Sequence, residues 1–321
     1  MLQTFDERNR DLIVNVAGNL VHRDQAGVSP FDSAVQGGDA VWEGLRLYDG
    51  RIFALEEHLE RLEHSAKALA FDSVPTRDEL VEQIRRTLAA NSMTDGVHIR
   101  LTLTRGVKIT SGMDPRLNQS GPTLIVLAEH KAPVYSKRGL SLITSSVRRF
   151  PPDCMDPKIH HNNLIQSIMA KVEANAAGAD DALMLDRNGF VAETNATHLF
   201  IVERGTAENG ARRGSDGAFE PVVRTPRTVA CPEGVTRRTV IELCDELGIV
   251  REVTDLSLTE FYRADECFCT GTMGELAPVT TIDGRRIGRS DGGAGDVPGP
   301  VTARLSAAFT AHVAKSGTRV V

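Results

Sequence analysis

Apolar and polar positions alternate at the start of the chain and then change period. Residues 12–16 and 20–22 are short apolar runs around a turn at Asn19, ended by Ser29 and Pro30, and they predict a β-hairpin. Residues 40–48, the turn Asp49-Gly50 and residues 51–55 predict a second. From Glu56 the spacing becomes helical: Leu59, Leu62, Ala66 and Leu69 recur at steps of three and four. Leu80, Ile84 and Leu88 repeat that stripe in a second helix over about 77–90. Strands follow at 97–104 and 123–127, on either side of a stretch, 106–121, that contains Gly and Pro.

The polar segment 129–138, interrupted by Pro133, predicts a linker between an α+β domain at 1–128 and an α/β domain at 139–321. The second domain opens with a strand at 140–145. A helix over 163–176 follows, with Leu164, Ile168 and Val172 on one face and Gly178 as its stop. Strands at 182–185 and 198–202 lie around the turn Arg187-Asn188-Gly189; a helix over 236–247, a strand at 266–270 and a last helix over 301–313 complete the pattern. Segments 203–220 and 290–299 are Gly-rich and read as flexible surface insertions. No internal repeat is visible.

Composition narrows the function classes. A length of 321 residues suits two domains, and 41% hydrophobic with 25% charged residues is ordinary for a globular protein. The balance of 43 acidic against 37 basic residues, a formal charge of -6, argues against nucleic-acid binding. No apolar run suggests a membrane span, and the polar start 1–10 lacks the pattern of a signal peptide, so a cytoplasmic protein is expected. Five cysteines without a CxxC pair read as reduced thiols, with neither disulfides nor zinc; Cys267 and Cys269, two apart in a strand, share a face.

Six segments in order carry more specific chemistry: Asp39-Ala40-Val41-Trp42-Glu43-Gly44-Leu45-Arg46, Glu57-His58-Leu59-Glu60-Arg61-Leu62, Asp156-Pro157-Lys158-Ile159-His160-His161-Asn162-Asn163-Leu164, Gly189-Phe190-Val191-Ala192-Glu193-Thr194-Asn195, Gly234-Val235-Thr236-Arg237, and Gly271-Thr272-Met273-Gly274-Glu275-Leu276-Ala277-Pro278-Val279. Over nearly the whole chain they resemble the class IV, or fold type IV, pyridoxal-phosphate aminotransferases, the group of branched-chain and D-amino-acid aminotransferases. The resemblance implies a two-domain fold mixing helix and sheet, and pyridoxal 5'-phosphate as cofactor.

It also implies roles. Lys158 takes the position of the lysine that binds the cofactor aldehyde and then shuttles a proton. Glu193 takes that of the carboxylate keeping the pyridine ring protonated. Arg61, the turn Gly234-Val235-Thr236 opening a helix, and Gly271-Thr272-Met273 supply charge and backbone donors for the phosphate. Asn162 and Asn163 stand where related branched-chain enzymes have Asn-Tyr. Asn163 can donate an amide hydrogen bond to the cofactor's phenolic oxygen, although either asparagine reads equally well as a helix N-cap. His160 and His161, adjacent in an extended stretch, point to opposite faces and do not make a metal site.

On the substrate side, Trp42 takes the aromatic wall position, and Val97-His98-Ile99-Arg100 resembles a Tyr-x-Arg strand with His98 replacing the tyrosine. Arg100 suits an acidic side chain, and the amides of Thr272 and Met273 suit the α-carboxylate. The loop carrying Arg105, Lys108 and Arg116 is expected either to close over a partner subunit's site or to be a solvated charged loop. The expected activity is transamination of a branched-chain L-amino acid with 2-oxoglutarate by a homodimer or higher oligomer, without nucleic-acid or membrane partners. D-amino-acid or (R)-amine transamination, aminodeoxychorismate lyase chemistry and a non-catalytic ligand-binding protein are the alternatives.

Overall fold

The computed structural model describes residues 3–133, 135, 138–207, 209–214, 217–288 and 297–321. By compactness the chain divides into two units. One comprises 2–132 with 159–164 and 313–321, and the other 133–158 with 165–312. No helix among the described residues is long and apolar enough to cross a membrane.

The N-terminal unit contains β1 (Ile13–Val16), β2 (Asn19–His22), α1 (Ser33–Gly37), β3 (Ala40–Tyr48), β4 (Arg51–Ile52), α2 (Leu55–Ala68), α3 (Arg77–Ala90), β5 (Val97–Thr104) and β6 (Thr123–His130). Its antiparallel sheet runs β4-β3-β5-β6-β1-β2, and Thr318–Arg319 from the chain end pairs with β4. Both long helices cover one face of this sheet, α2 against β3 and α3 against β1 and β6. Leu59, Leu62, Ala66, Leu80, Ile84 and Leu88 are fully buried there with Val41, Leu45 and Leu47 of β3. Thr76 and Glu79 form a capping box that starts α3. The strand expected over 51–55 is shorter than read: Ala54 takes a left-handed φ of 50° and α2 begins at Leu55. β6 runs on to His130, into the segment read as the linker, of which Val134, Ser136 and Lys137 lie outside the described residues.

The C-terminal unit contains β7 (Leu140–Thr144), α4 (Ile165–Ala176), β8 (Asp181–Leu185), β9 (Val191–Thr194), β10 (His198–Glu203), β11 (Val222–Pro226), α5 (Val235–Glu246), β12 (Val250–Thr254), α6 (Leu258–Arg263), β13 (Glu266–Gly271), β14 (Glu275–Ile282) and β15 (Arg285–Arg286). Its mixed sheet runs β12-β11-β10-β13-β14-β7-β8-β9, with β15 beside β14. The pairs β11·β12, β14·β7 and β7·β8 are parallel. The last helix, α7, spans Pro300–Lys315.

α4 corrects the expected face. Gln166, Ala170 and Ala174 are buried, whereas Ile165, Ile168, Met169 and Val172 are exposed, because small alanines let the helix sit close on β8. In the segment 203–220, Arg213 bridges to Phe219 and the Glu220 amide donates to Arg212; Glu208, Ser215 and Asp216 lie outside the described residues, as do 289–296 of the second Gly-rich segment.

Candidate active site

In the C-terminal unit, β9 ends in a buried carboxylate. Glu193 Oε1 lies 2.5 Å from Arg149 Nη2, and Arg149 also donates to Ser167 Oγ (3.1 Å) and to the Ala230 carbonyl (3.3 Å). His198, at the start of β10, has Nδ1 3.9 Å from Glu193 Oε2 and 3.9 Å from Cys231 Sγ. Potential metal-ligand atoms of Glu193, His198 and Cys231 thus lie within 4.8 Å of one another, a convergence the sequence reading did not contain. The cation that Glu193 meets there is Arg149.

Lys158 stands on the irregular stretch after Pro157, its amide bonded to Asp156 Oδ1 (3.0 Å) and its Nζ 2.6 Å from Glu233 Oε1. Its side chain is half exposed. The Lys158 hydrogen bond is the main reason the Glu233 carboxyl is held below its ordinary value.

Next to Glu233, Gly234 is the N-cap of α5 and brings no side-chain cap. First-turn amides of a helix have no acceptor within it, so this end offers backbone donors and the positive end of the helix dipole. A Cβ at Gly234 would fall 2.3 Å from the His198 ring, which explains the glycine by space alone. Arg237, in the same turn, is buried and donates to Thr225 Oγ1 (3.2 Å) and the Pro226 carbonyl (2.8 Å). Opposite His198 in the register, Thr270 has a buried hydroxyl without a hydrogen-bond partner among the described residues. Thr272 and Met273 form the turn between β13 and β14.

The N-terminal unit holds a second cluster. Glu43 on β3 is fully buried in a row whose other members, Val41, Leu45 and Leu47, are apolar. It accepts from Arg61 Nε (2.8 Å) and Nη2 (2.7 Å), and lies 2.7 Å from His58 Nδ1 and 3.2 Å from His160 Nδ1. Burial pushes the Glu43 carboxyl up, but Arg61 and His160 outweigh it and hold the group well below the carboxylate range. The Arg61 fork expected to meet a phosphate is therefore engaged by Glu43.

His160 stacks on Trp42 at 4.3 Å, and Trp42 Nε1 donates to the His161 carbonyl (3.1 Å). Arg100 lies 3.8 Å over the Trp42 ring and gives Nη2 to Asn162 Oδ1 (2.7 Å). Asn163 donates Nδ2 to the Gly38 carbonyl (3.0 Å), where Gly38 has a φ of 67° and no room for a Cβ. His98 is buried beside Arg100 on β5, with Nδ1 3.3 Å from the Leu45 carbonyl.

The loop cations are tied locally. Arg105 pairs with Asp39 (2.6 Å), Lys108 donates to the Gly112 carbonyl (2.5 Å), and Arg116 pairs with Asp114 (2.5 Å). Structure thus groups Lys158, Glu193 and Gly234–Thr236 in one unit, and Trp42, Arg61, His98, Arg100 and Asn163 in the other.

Sequence reasoning missed Glu43, Arg149, His198, Cys231 and Glu233 as partners. Glu43 had a signal, a carboxylate inside an apolar row, and Arg149 had none.

The amino-transferase class IV family model matches residues 40–282. The branched-chain-amino-acid aminotransferase-like protein 2 of Arabidopsis thaliana is 51% identical over 97% of this chain and 52% of its own length. This chain therefore spans about half the length of the first curated relatives it matches. A putative branched-chain-amino-acid aminotransferase of Methanocaldococcus jannaschii is 38% identical over 94% of this chain and 97% of that protein. Among solved structures, the branched-chain amino acid aminotransferase of Thermobaculum terrenum, in its pyridoxal-phosphate holo-form, is 26% identical with a TM-score of 0.78, covering 94% of both chains.

Proposed function

Since the chain belongs to the amino-transferase class IV family, we propose that it carries out pyridoxal-phosphate-dependent transamination, with a branched-chain L-amino acid as donor and 2-oxoglutarate as acceptor. The observation that carries this reading is the grouping, in the C-terminal unit, of an amine, a buried carboxylate and an uncapped helix N-terminus. Contacts chain them together: Lys158 Nζ lies 2.6 Å from Glu233, which precedes the N-cap Gly234, a Cβ at Gly234 would fall 2.3 Å from the His198 ring, and His198 Nδ1 lies 3.9 Å from Glu193.

The donor set fits pyridoxal phosphate. When bound, that group supplies an aldehyde for the amino nitrogen and a ring that spreads negative charge developing at Cα. Lys158 would hold the cofactor through its aldehyde, and its Nζ, once free, would take up and return the proton at the substrate Cα. Glu233, 2.6 Å away, keeps that amine oriented. Glu193 accepts the pyridine N–H, with Arg149 fixing the carboxylate on its other oxygen. The first-turn amides of Gly234, Val235 and Thr236, with Thr272, take the phosphate.

In the N-terminal unit the same reading assigns Arg61 to the phosphate, Asn163 to the phenolic oxygen, and Trp42, His98 and Arg100 to the substrate. Arg61 and Asn163 then share donors already given to Glu43 and Gly38. Thr272 and Met273 amides take the α-carboxylate. A cytoplasmic homo-oligomer completes the reading; the exposed apolar stripe Ile165, Ile168, Met169 and Val172 on α4 suits a second copy.

An absorbance spectrum of the purified protein with pyridoxal phosphate tests it, followed by single additions of L-leucine and D-alanine. A visible band that L-leucine moves to shorter wavelength is the expected result. A response to D-alanine alone would replace the donor by a D-amino acid, and no band at all would remove Lys158 from the chemistry.

A further inference from the structure

Glu193, His198 and Cys231 come from three places in the chain and converge in the C-terminal unit, where all three are buried. Local bonding fixes them there. A tight turn joins β9 to β10: the Thr194 amide donates to the Thr197 carbonyl (2.7 Å) and the Thr197 amide to Thr194 Oγ1 (2.8 Å), so Glu193 and His198 flank it. Arg149 ties in the third segment, since it pairs with Glu193 Oε1 and donates to the carbonyl of Ala230, the residue before Cys231. Gly234 closes in the His198 ring: a Cβ there would fall 2.4 Å from Nε2, while Nδ1 lies near Glu193 and Cys231.

The spacing suits ligands about one ion. His198 Nδ1 lies 3.9 Å from Glu193 Oε2 and 3.9 Å from Cys231 Sγ, and the three ligand atoms all lie within 4.8 Å of one another. Bonds of about 2.0–2.3 Å set the edges of a nitrogen, oxygen and sulfur tetrahedron around zinc at roughly 3.4–3.6 Å. Small side-chain rotations therefore close the three on one centre. Thiolate and imidazole favour zinc over magnesium or calcium, and zinc accepts three protein ligands with a water in the fourth place. Thr270, the cross-strand partner of His198, has a buried hydroxyl without a hydrogen-bond partner among the described residues, so such a water has an acceptor. Glu193 and the Cys231 thiolate offset the two charges of the ion, and the thiol proton leaves to solvent as the metal binds. Arg149 stays on the other carboxylate oxygen, and its charge makes the binding weaker than at a structural zinc site.

We propose that Glu193, His198 and Cys231 bind a zinc ion in the cofactor-free protein. The three side chains make this site by themselves. That zinc and pyridoxal phosphate exclude each other rests on the transaminase reading, in which the pyridine nitrogen needs the same carboxylate. The ion then keeps the cofactor out until it is withdrawn.

The test takes the full chain stripped of pyridoxal phosphate in three forms: unaltered, Cys231→Ser and His198→Asn. Cobalt(II) is the probe, because a thiolate bound to it gives a charge-transfer band in the near ultraviolet. The expected result is a single bound cobalt with that band, displaced by zinc and not by magnesium. Cys231→Ser loses the band, and both variants bind zinc at least tenfold more weakly. Zinc-edge X-ray absorption of the unaltered protein, which depends on no variant, should show one sulfur and one imidazole among four ligands. No thiolate band, a zinc shell of nitrogen and oxygen alone, or equal zinc affinity in all three forms overturns the proposal. Pyridoxal phosphate is then added to the zinc-loaded protein, freed of unbound metal, and a visible band that forms only after a chelator removes the zinc is expected. A full band with the zinc retained overturns the shared use of Glu193. Zinc held by the three side chains, with no visible band in the metal-free protein, removes the transaminase reading and leaves the metal site; a band in a protein that binds no metal does the reverse.

Discussion

Arg149 holds Glu193 from behind: Nη2 is 2.5 Å from Oε1, with the two side chains only 12% and 8% exposed. Removing one member of such a buried pair strands the other, at a cost of about 3–5 kcal/mol. Arg149→Met is expected to lose stability in that range in urea unfolding. The double variant Arg149→Met with Glu193→Gln is expected to recover much of the loss, because no charge is then left alone. A single-variant loss under about 1 kcal/mol would mean the pair is solvated and Arg149 does not position the carboxylate.

Lys158 and Glu233 make the opposite kind of pair, with side chains 50% and 65% exposed. Exposed pairs contribute about 0–1 kcal/mol. Lys158→Ala is therefore expected to unfold within about 1 kcal/mol of the unaltered protein while losing transamination and the visible cofactor band. Retained turnover in this variant would take the lysine out of the mechanism.

The contrast between these pairs explains what could be read from the chain. Helical stripes were legible where the covered face carries the large residues, as Leu59 and Leu62 do in α2. In α4 the same periodicity pointed to Leu164, Ile168 and Val172, but close packing on β8 selects Ala170 and Ala174, and a stripe does not say what covers it. Site positions came from motifs, while their partners depend on pairing distant in sequence. Glu193 meets Arg149 and Lys158 meets Glu233 only once strands and loops are in place. Glu43 was legible in principle, since a carboxylate among Val41, Leu45 and Leu47 needs buried cations. Arg46 on β3 was equally visible, but that its Nε and Nη1 meet no hydrogen-bond acceptor among the described residues is a property of the folded chain.

His98 links stability to pH. Its folded pKa is pushed down to about 3, first by burial and then by neighbouring cations, from an ordinary 6.5. Below 6.5 the unfolded chain binds a proton that the folded one refuses, so the contribution is fully present above about pH 6.5. It is lost as pH falls toward 3, at up to about 1.4 kcal/mol per pH unit. Between pH 7.5 and 5.5, His98→Gln is expected to lose about 1.4 kcal/mol less stability than the unaltered protein in denaturant titrations. Identical pH dependence in the two would show that His98 takes up its proton as readily in the fold as in the unfolded chain.

Arg100 separates the two halves of the proposed reaction. Its guanidinium is stacked 3.8 Å over Trp42 and held by Asn162, so its position does not depend on substrate. A glutamate side chain gains a charged hydrogen bond there, worth about 1.5–3 kcal/mol, whereas a leucine side chain meets only the apolar wall. Arg100→Leu is thus expected to slow the single-turnover reaction with L-glutamate by roughly one to two powers of ten and that with L-leucine by under about threefold. The control is the melting temperature, because Trp42 loses its cation contact in the same variant. If both amino acids slow equally while the protein melts as before, Arg100 acts on a part of the substrate common to both. Its place on β5 would then belong to the α-carboxylate, and the amides of Thr272 and Met273 would lose that role.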